Sequence, residues 1–405
     1  MKRRYIYYFL TAVVAMSSIG GALNSQFILV SKNQPWYGRF AWELLFTGFG
    51  SFFYALGCIF LSFLSDKYGR LRCISFSLLI IALMNALLGL KLFGTYKLWH
   101  FFLYWGIVNL CNSVFFTGIE GILSEYQDHS VSLARRLGAY CLSWCIADVV
   151  SAFITGNTKQ IYGPEIIYYG LFYICFVAFL VALWDWFKYG DKRLGEIDIG
   201  VADIRPEAPF FARLGRIGLF FGSLAYMSLS PILPRFGRDF HGLSEAQIGN
   251  LISMILLFSS FGFVFIAHWK RWHYNLNLQI LLQIPMALGL CLVILAPAKI
   301  FGILKMGFVL FGFGWACTYF FSIYYSLTVV KNHAKSGGIH EAFLGFGNLS
   351  GPFASVGLIW LLSKTTIFSQ ERIGVIAVIF GMMGVIISLL VQLYLIYRYK
   401  HSKNY

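Results

Sequence analysis

Charge is scarce in this sequence, and acidic charge scarcest. Asp, Glu, Lys and Arg make up 12% of the 405 residues, against about 25% in an average soluble domain. The 17 acids are outnumbered by 32 Lys and Arg. A soluble globule of this size needs a charged surface, so that class is excluded. Long polar stretches are missing too, apart from one running from about Phe187 to Arg213. No loop can hold an independent soluble domain, and no G-x-x-x-x-G-K-[ST] phosphate loop occurs. Both absences argue against an ATP-driven pump with its motor in the same chain. Cysteine appears eight times, always inside or at the edge of an apolar block, where it behaves as a small hydrophobe. No disulfide framework and no C-x-x-C zinc spacing is visible. The eight histidines form no H-E-x-x-H. The closest pair, His268 and His273, misses the i, i+4 spacing of ligands on a helix. The expectation is no metal, no cofactor and no enzyme.

What is present is apolar. Hydrophobic residues are 59% and aromatics 19% of the chain, mean hydropathy is +0.70, and the apolar residues fall in blocks of about 20, the length that crosses a bilayer as a helix. Twelve spans are predicted: 5–30, 42–64, 73–93, 99–122, 137–157, 166–186, 214–234, 245–267, 276–296, 301–329, 341–363 and 373–398. Met1-Lys2-Arg3-Arg4 ahead of the first block imitates a secretory signal, but the apolar run continues to about Val30, so it is read as the first span. The polar stretch divides the spans six and six. The predicted organisation is an amino-terminal six-helix bundle over 1–186, a central loop over 187–213 and a carboxy-terminal bundle over 214–405.

Lys and Arg report orientation. The net charge of +15 would point to nucleic acid if it were clustered on a soluble surface, but the bases lie between apolar blocks. With the amino terminus inside, 21 of the 32 Lys and Arg fall on inner segments. Both termini are therefore expected in the cytoplasm of a multi-pass protein of the inner or plasma membrane, which requires an even number of spans. No nucleic-acid partner is expected, and the chain is expected to act as a monomer in the bilayer.

The most specific local pattern joins spans two and three: Ser62-Phe63-Leu64-Ser65-Asp66-Lys67-Tyr68-Gly69-Arg70-Leu71-Arg72-Cys73-Ile74. A short turn with one acid, three bases and a glycine links the helices. Gly69 can take a positive φ, and Asp66 can meet a base or a helix N-terminus. The loop resembles the signature of the major facilitator superfamily, Gly-x-Leu-x-Asp-[Arg/Lys]-x-Gly-[Arg/Lys]. Leu64, Asp66, Lys67, Gly69, Arg70 and Ile74 match in order, whereas Ser62 replaces the first glycine and Leu71 with Arg72 shifts the second base.

The resemblance implies an all-α membrane fold, two pseudo-symmetric bundles rocking about a site near mid-membrane. It implies a secondary transporter that moves a small solute by alternating access, as symporter or antiporter, with Asp66, Lys67, Gly69 and Arg70 as a gate bridging to span eleven. It also implies that spans one, four, seven and ten line the cavity. The corresponding second-half loop, His268 to His273, keeps the bases and lacks the acid and the glycine, and reads as a positive anchor.

Asp148 lies mid-way along span five, where an acid costs roughly 2.5 to 3.5 kcal/mol, and no base lies comparably deep in any span. It is read as a proton-coupling residue or the counter-charge for a cationic substrate, against a structural role hydrogen-bonded to Ser151. Glu120 and Glu341 sit near span ends as inner-gate acids, with Arg70, Arg135 or Arg136 as partners, or else solvated at the interface. Span four has no arginine, which weakens a drug-antiporter reading. Trp315, Tyr319 and Tyr325 of span ten either face the cavity as a stacking surface or serve lipid contact and core packing. Asn24, Gln26, Tyr226, Ser228 and Asn250 add neutral hydrogen-bonding groups that suit a polar, uncharged ligand in a cavity or contacts between helices. Gly347, Gly351 and Pro352 suit close packing and bending of span eleven. Gly312-Phe313-Gly314 and Gly345-Phe346-Gly347, which look like pieces of a nucleotide fingerprint, lack a preceding strand and read as packing positions. Rival readings are a lipid or amphiphile translocator of the same fold and a non-transporting sensor.

Overall fold

The computed structural model describes residues 3–31, 41–91, 97–125, 132–190, 205–296, 301–329, 333–363 and 370–402. Twelve helices are long and apolar enough to cross a membrane: Arg4–Leu29, Trp42–Phe60, Arg70–Gly89, Leu98–Leu123, Leu133–Tyr162, Pro164–Tyr189, Ala208–Asp239, Glu245–His268, Leu276–Leu295, Gly302–Thr328, Gly338–Leu362 and Val375–His401. They are numbered here as spans one to twelve. No strand occurs among the described residues. Residues 191–204 of the predicted central loop lie outside them.

The predicted limits shift most where proline or glycine acts. Span seven runs on past Leu229 because Pro231 and Pro234 convert the helix to a 3-10 turn, Ser230–Ile232, and then restart it as Leu233–His241. Span nine is interrupted between Leu276–Leu281 and Ile284–Leu295, because the ring of Pro285 excludes the carbonyl four residues before it. After span two a separate helix, Ser62–Tyr68, carries the signature loop. Gly69 then turns the chain with φ +100°, a backbone that L side chains rarely adopt. Lys67 is exposed with its ammonium over the Tyr68 ring. Arg70 lies across Gly121 of span four, where an added Cβ would fall 2.9 Å from the guanidinium carbon. The side chain of Asp66, and with it the expected bridge to span eleven, lies outside the described residues.

The pairings repeat six spans apart. Span one packs on five and six, two on four, and three on four and six. Likewise seven packs on eleven and twelve, eight on ten, and nine on ten and twelve. The broadest contacts joining the first six spans to the last six are five with eight and two with eleven. Spans three, six, nine and twelve stand outside the cavity, with exposed apolar side chains such as Phe76, Tyr173, Leu295 and Leu390. In a bilayer that surface meets lipid at no cost.

Small residues allow these approaches. Gly156 and Gly249 let spans five and eight touch backbone to backbone, and Gly138 sits where a Cβ would be 2.4 Å from the Ala267 Cβ. A Cβ on Gly347 or Gly351 would come within 2.4 Å of the carbonyl oxygens of Phe220 and Leu224 on span seven. Pro352, inside span eleven, faces Gly48 of span two. Gly351→Val is therefore expected to destabilise the protein by about 1–3 kcal/mol through overpacking. Thermal unfolding in detergent measures it, and an unchanged midpoint would show that spans seven and eleven do not meet there.

The loop between spans eight and nine is more than a positive anchor. Trp272 is fully buried, its Nε1–H donating to the Ile266 carbonyl at 2.7 Å. Its ring packs among Phe320, Phe321, Tyr324 and Tyr325. Tyr325 accepts a hydrogen bond from the Tyr274 N–H, which fixes it in this cluster. Of the two places open to Tyr325, cavity or packed core, it takes the core.

Candidate functional site

Asp148 opens onto a cavity of about 230 Å³ between the first six spans and the last six. Side chains from spans one, two, four, five, seven, eight, ten and eleven line it. The expected lining set of one, four, seven and ten is thus too small. Spans two, five, eight and eleven meet across the middle of the molecule and contribute as well, which is why an acid in span five reaches the centre.

Asp148 is 7% exposed, and its Oδ1 has no hydrogen-bond partner. The bond to Ser151 does not form, because Ser151 donates instead to the carbonyl of Met16 at 2.6 Å. Around the carboxylate stands an aromatic wall. Tyr226 stacks on Trp315 with centroids 5.3 Å apart, and Trp144 meets Trp315 and Tyr319 edge-on at 6.0 and 5.6 Å. Trp315 Nε1 and Trp105 Nε1 are buried without acceptors, and Asn112 Oδ1 is buried without a donor. Buried polar atoms are normally satisfied. Unused donors and acceptors around one cavity mark groups available to a ligand.

Asn24 is not among the lining residues. Its Nδ2 donates to the Pro164 carbonyl at 2.8 Å at the start of span six. Gln26, about 200° further round the helix, points inward and donates to Thr47 at 3.2 Å. Trp144 and Trp105 escaped the sequence reading, although Trp144 lies four residues before Asp148 and so shares its helix face.

Both ends of the cavity are bridged. On the face opposite the termini, Arg235 of span seven pairs with Glu43 of span two at 2.8 Å. Both are buried, with Arg235 7% and Glu43 0% exposed at the side chain. Lys159 of span five pairs with Glu245 of span eight at 2.7 Å and covers the Phe27 ring. Arg235 lies one residue beyond the predicted end of span seven. The signal that it enters the protein is the apolar run around Pro231 and Pro234, which continues the helix to reach it.

On the terminal face Glu120 of span four and Glu341 of span eleven come together, fully buried rather than solvated at an interface. Their described hydrogen-bond partners are tyrosines and not the expected arginines. Tyr140 donates to Glu120 at 3.2 Å, Tyr319 to Glu341 at 3.5 Å, and Tyr54 to the second oxygen of Glu341. His340 Nδ1 is bonded to Ser322 Oγ at 2.9 Å.

Compared with known proteins, the chain matches the sequence model of the Major Facilitator Superfamily over residues 5–352. It belongs to this superfamily. This major facilitator is a multi-pass membrane transporter. No curated protein sequence matched it. Among solved structures it resembles the human organic anion transporter MFSD10 (TETRAN), with a TM-score of 0.64 over 95% of this chain and 99% of that one, at 13% identity. At that identity the likeness concerns the fold alone.

Proposed function

We propose that this transporter carries a small organic solute with a cationic or hydrogen-donating group by alternating access, exchanging it at Asp148 with protons. The observation that carries the reading is the carboxylate of Asp148, its Oδ1 without a hydrogen-bond partner, in an aromatic cavity whose lining contains no Lys or Arg and whose other acid, Glu341, is held by tyrosines at the terminal end. A buried charge must be neutralised. A proton and a cationic group can each do so, but not together, and that exclusivity couples the two fluxes. Trp144, Trp315 and Tyr226 supply a face for an aliphatic or aromatic cation. The same lining disfavours an organic anion, so this chain is not expected to share the organic-anion transport of its structural neighbour.

In this reading the first six spans move as one body against the last six. Arg235 with Glu43 closes one side, and Glu120 with Glu341 the other. The bias of Lys and Arg supports placing both termini in the cytoplasm of the plasma or inner membrane. An unassisted lipid translocator is the second reading, supported by the aromatic wall alone.

The test is a thermal-unfolding screen of the purified protein at two pH values against amines, sugars, amino acids, organic acids, nucleosides and lysolipids. A ligand at 100 times its dissociation constant stabilises the fold by about 2.7 kcal/mol. Amines are expected to respond, and more strongly at the higher pH, where protons compete less. Selective stabilisation by organic acids or lysolipids would overturn the proposal.

A further inference from the structure

We infer that the carboxylates of Glu120 and Glu341 and the imidazole of His340 form a binding site for one divalent first-row transition-metal ion, clasping span four to span eleven. One oxygen of each carboxylate and a ring nitrogen of His340 lie within 4.8 Å of one another, and all three residues are buried.

The independent observation is how their atoms divide. Each residue has one polar atom held from outside the cluster: Glu120 Oε1 by Tyr140, Glu341 Oε2 by Tyr54, and His340 Nδ1 by Ser322. The other atoms are unused or weakly used. No donor lies on Glu120 Oε2 or His340 Nε2, Glu341 Oε1 has a hydroxyl at 3.5 Å, and the two carboxyls are close enough to share one proton, which a bound ion would displace. Such outer anchors orient metal ligands and set the imidazole tautomer. When Nδ1–H is donated to Ser322, Nε2 keeps its lone pair and faces Glu341 Oε1 at 3.9 Å.

Two acceptors cannot bond to each other, so something positive belongs between them. A shared proton draws its two heavy atoms to about 2.5–3.0 Å. An ion with bonds of about 2.0–2.2 Å holds two ligands up to roughly 4.3 Å apart. The spacing suits the ion. An imidazole beside two carboxylates selects a first-row transition ion over magnesium or calcium.

Glu120 belongs to the first six spans, and His340 and Glu341 to the last six. The bound ion therefore ties the two sets together on the terminal face and favours the state in which that face is closed. The site shares Glu341 with the terminal end of the cavity but does not include Asp148, and its test uses the metal ion alone, whatever the cavity carries.

The experiment titrates purified, metal-stripped full-length protein with Mn²⁺, Co²⁺ and Zn²⁺ by calorimetry, with Mn²⁺ binding also read by electron paramagnetic resonance. Saturable binding of one ion is expected. It should weaken at least tenfold in Glu120→Gln and in His340→Gln, and about 10–100-fold in Ser322→Ala, which removes only an outer anchor. Glu165→Gln, an acid paired with Lys91 inside the first six spans, should bind as the wild type does. Absence of saturable binding to folded wild type overturns the proposal, because that arm needs no variant to fold. So does binding that survives intact in both Glu120→Gln and His340→Gln.

Discussion

Asp148→Asn is expected to abolish stabilisation by cationic ligands while leaving the fold intact. The side chain keeps its volume and loses the charge that any cationic group must meet. A charge-assisted hydrogen bond contributes about 1.5–3 kcal/mol, so the affinity for an amine should fall roughly ten- to a hundredfold. The pH dependence of transport in liposomes should flatten in parallel, since the group that exchanges protons is gone. Asn carries no charge to exchange, and no second acid replaces Asp148 on span five. Glu341, the other acid lining the cavity, sits at its terminal end among tyrosines. Two measurements decide it: ligand-dependent unfolding of both proteins, and proton flux driven by a gradient of the ligand. Equal affinity and an unchanged pH profile in the variant would make Asp148 a packing residue.

Arg235→Ala should have the largest structural consequence. Glu43 is 0% exposed, and Arg235 bonds its Oε1. Removing the guanidinium strands a buried carboxylate, which costs about 3–5 kcal/mol. The loss is asymmetric between conformations, because the pair bridges spans two and seven only while the face opposite the termini is closed. The variant should therefore open on that face, and a cysteine placed at Thr47, just inside the bridge, should react with a water-soluble maleimide many times faster than in the parent background. Substituting Glu43→Gln as well should recover much of the stability, since no unpaired charge then remains. A variant with wild-type stability and unchanged labelling would show that the pair is not a gate.

The spans were legible because their cause is local. An apolar block of about 20 residues is satisfied as a helix in lipid whatever its neighbours do, and Gly69 turns the chain where a glycine between two helices is expected to. Span seven continues past its predicted end at Pro231 and span nine breaks at Pro285, since the ring alters hydrogen bonds up to four residues away. Asp148 could be singled out because charge inside an apolar helix is conspicuous whatever it faces. Which way a neutral side chain points is a different matter. Asn24 and Gln26 lie two apart on one helix, yet the first serves a carbonyl of span six and the second the cavity. Tyr319 and Tyr325 part in the same way, one at the cavity and one in the Trp272 cluster.

By itself, then, the sequence determined that this is a twelve-span membrane protein of the major facilitator type with one isolated acid in span five. Length, hydropathy and a short loop pattern are properties of contiguous residues. Only the tertiary structure decided that Arg235 meets Glu43, that Trp144 joins Trp315 and Tyr319, and that Glu120 meets Glu341 and His340. Each of these joins a residue from the first six spans to one from the last six. Such contacts follow from which helix faces the close-packed glycines allow together, and periodicity within a single helix carries no information about the partner across the interface.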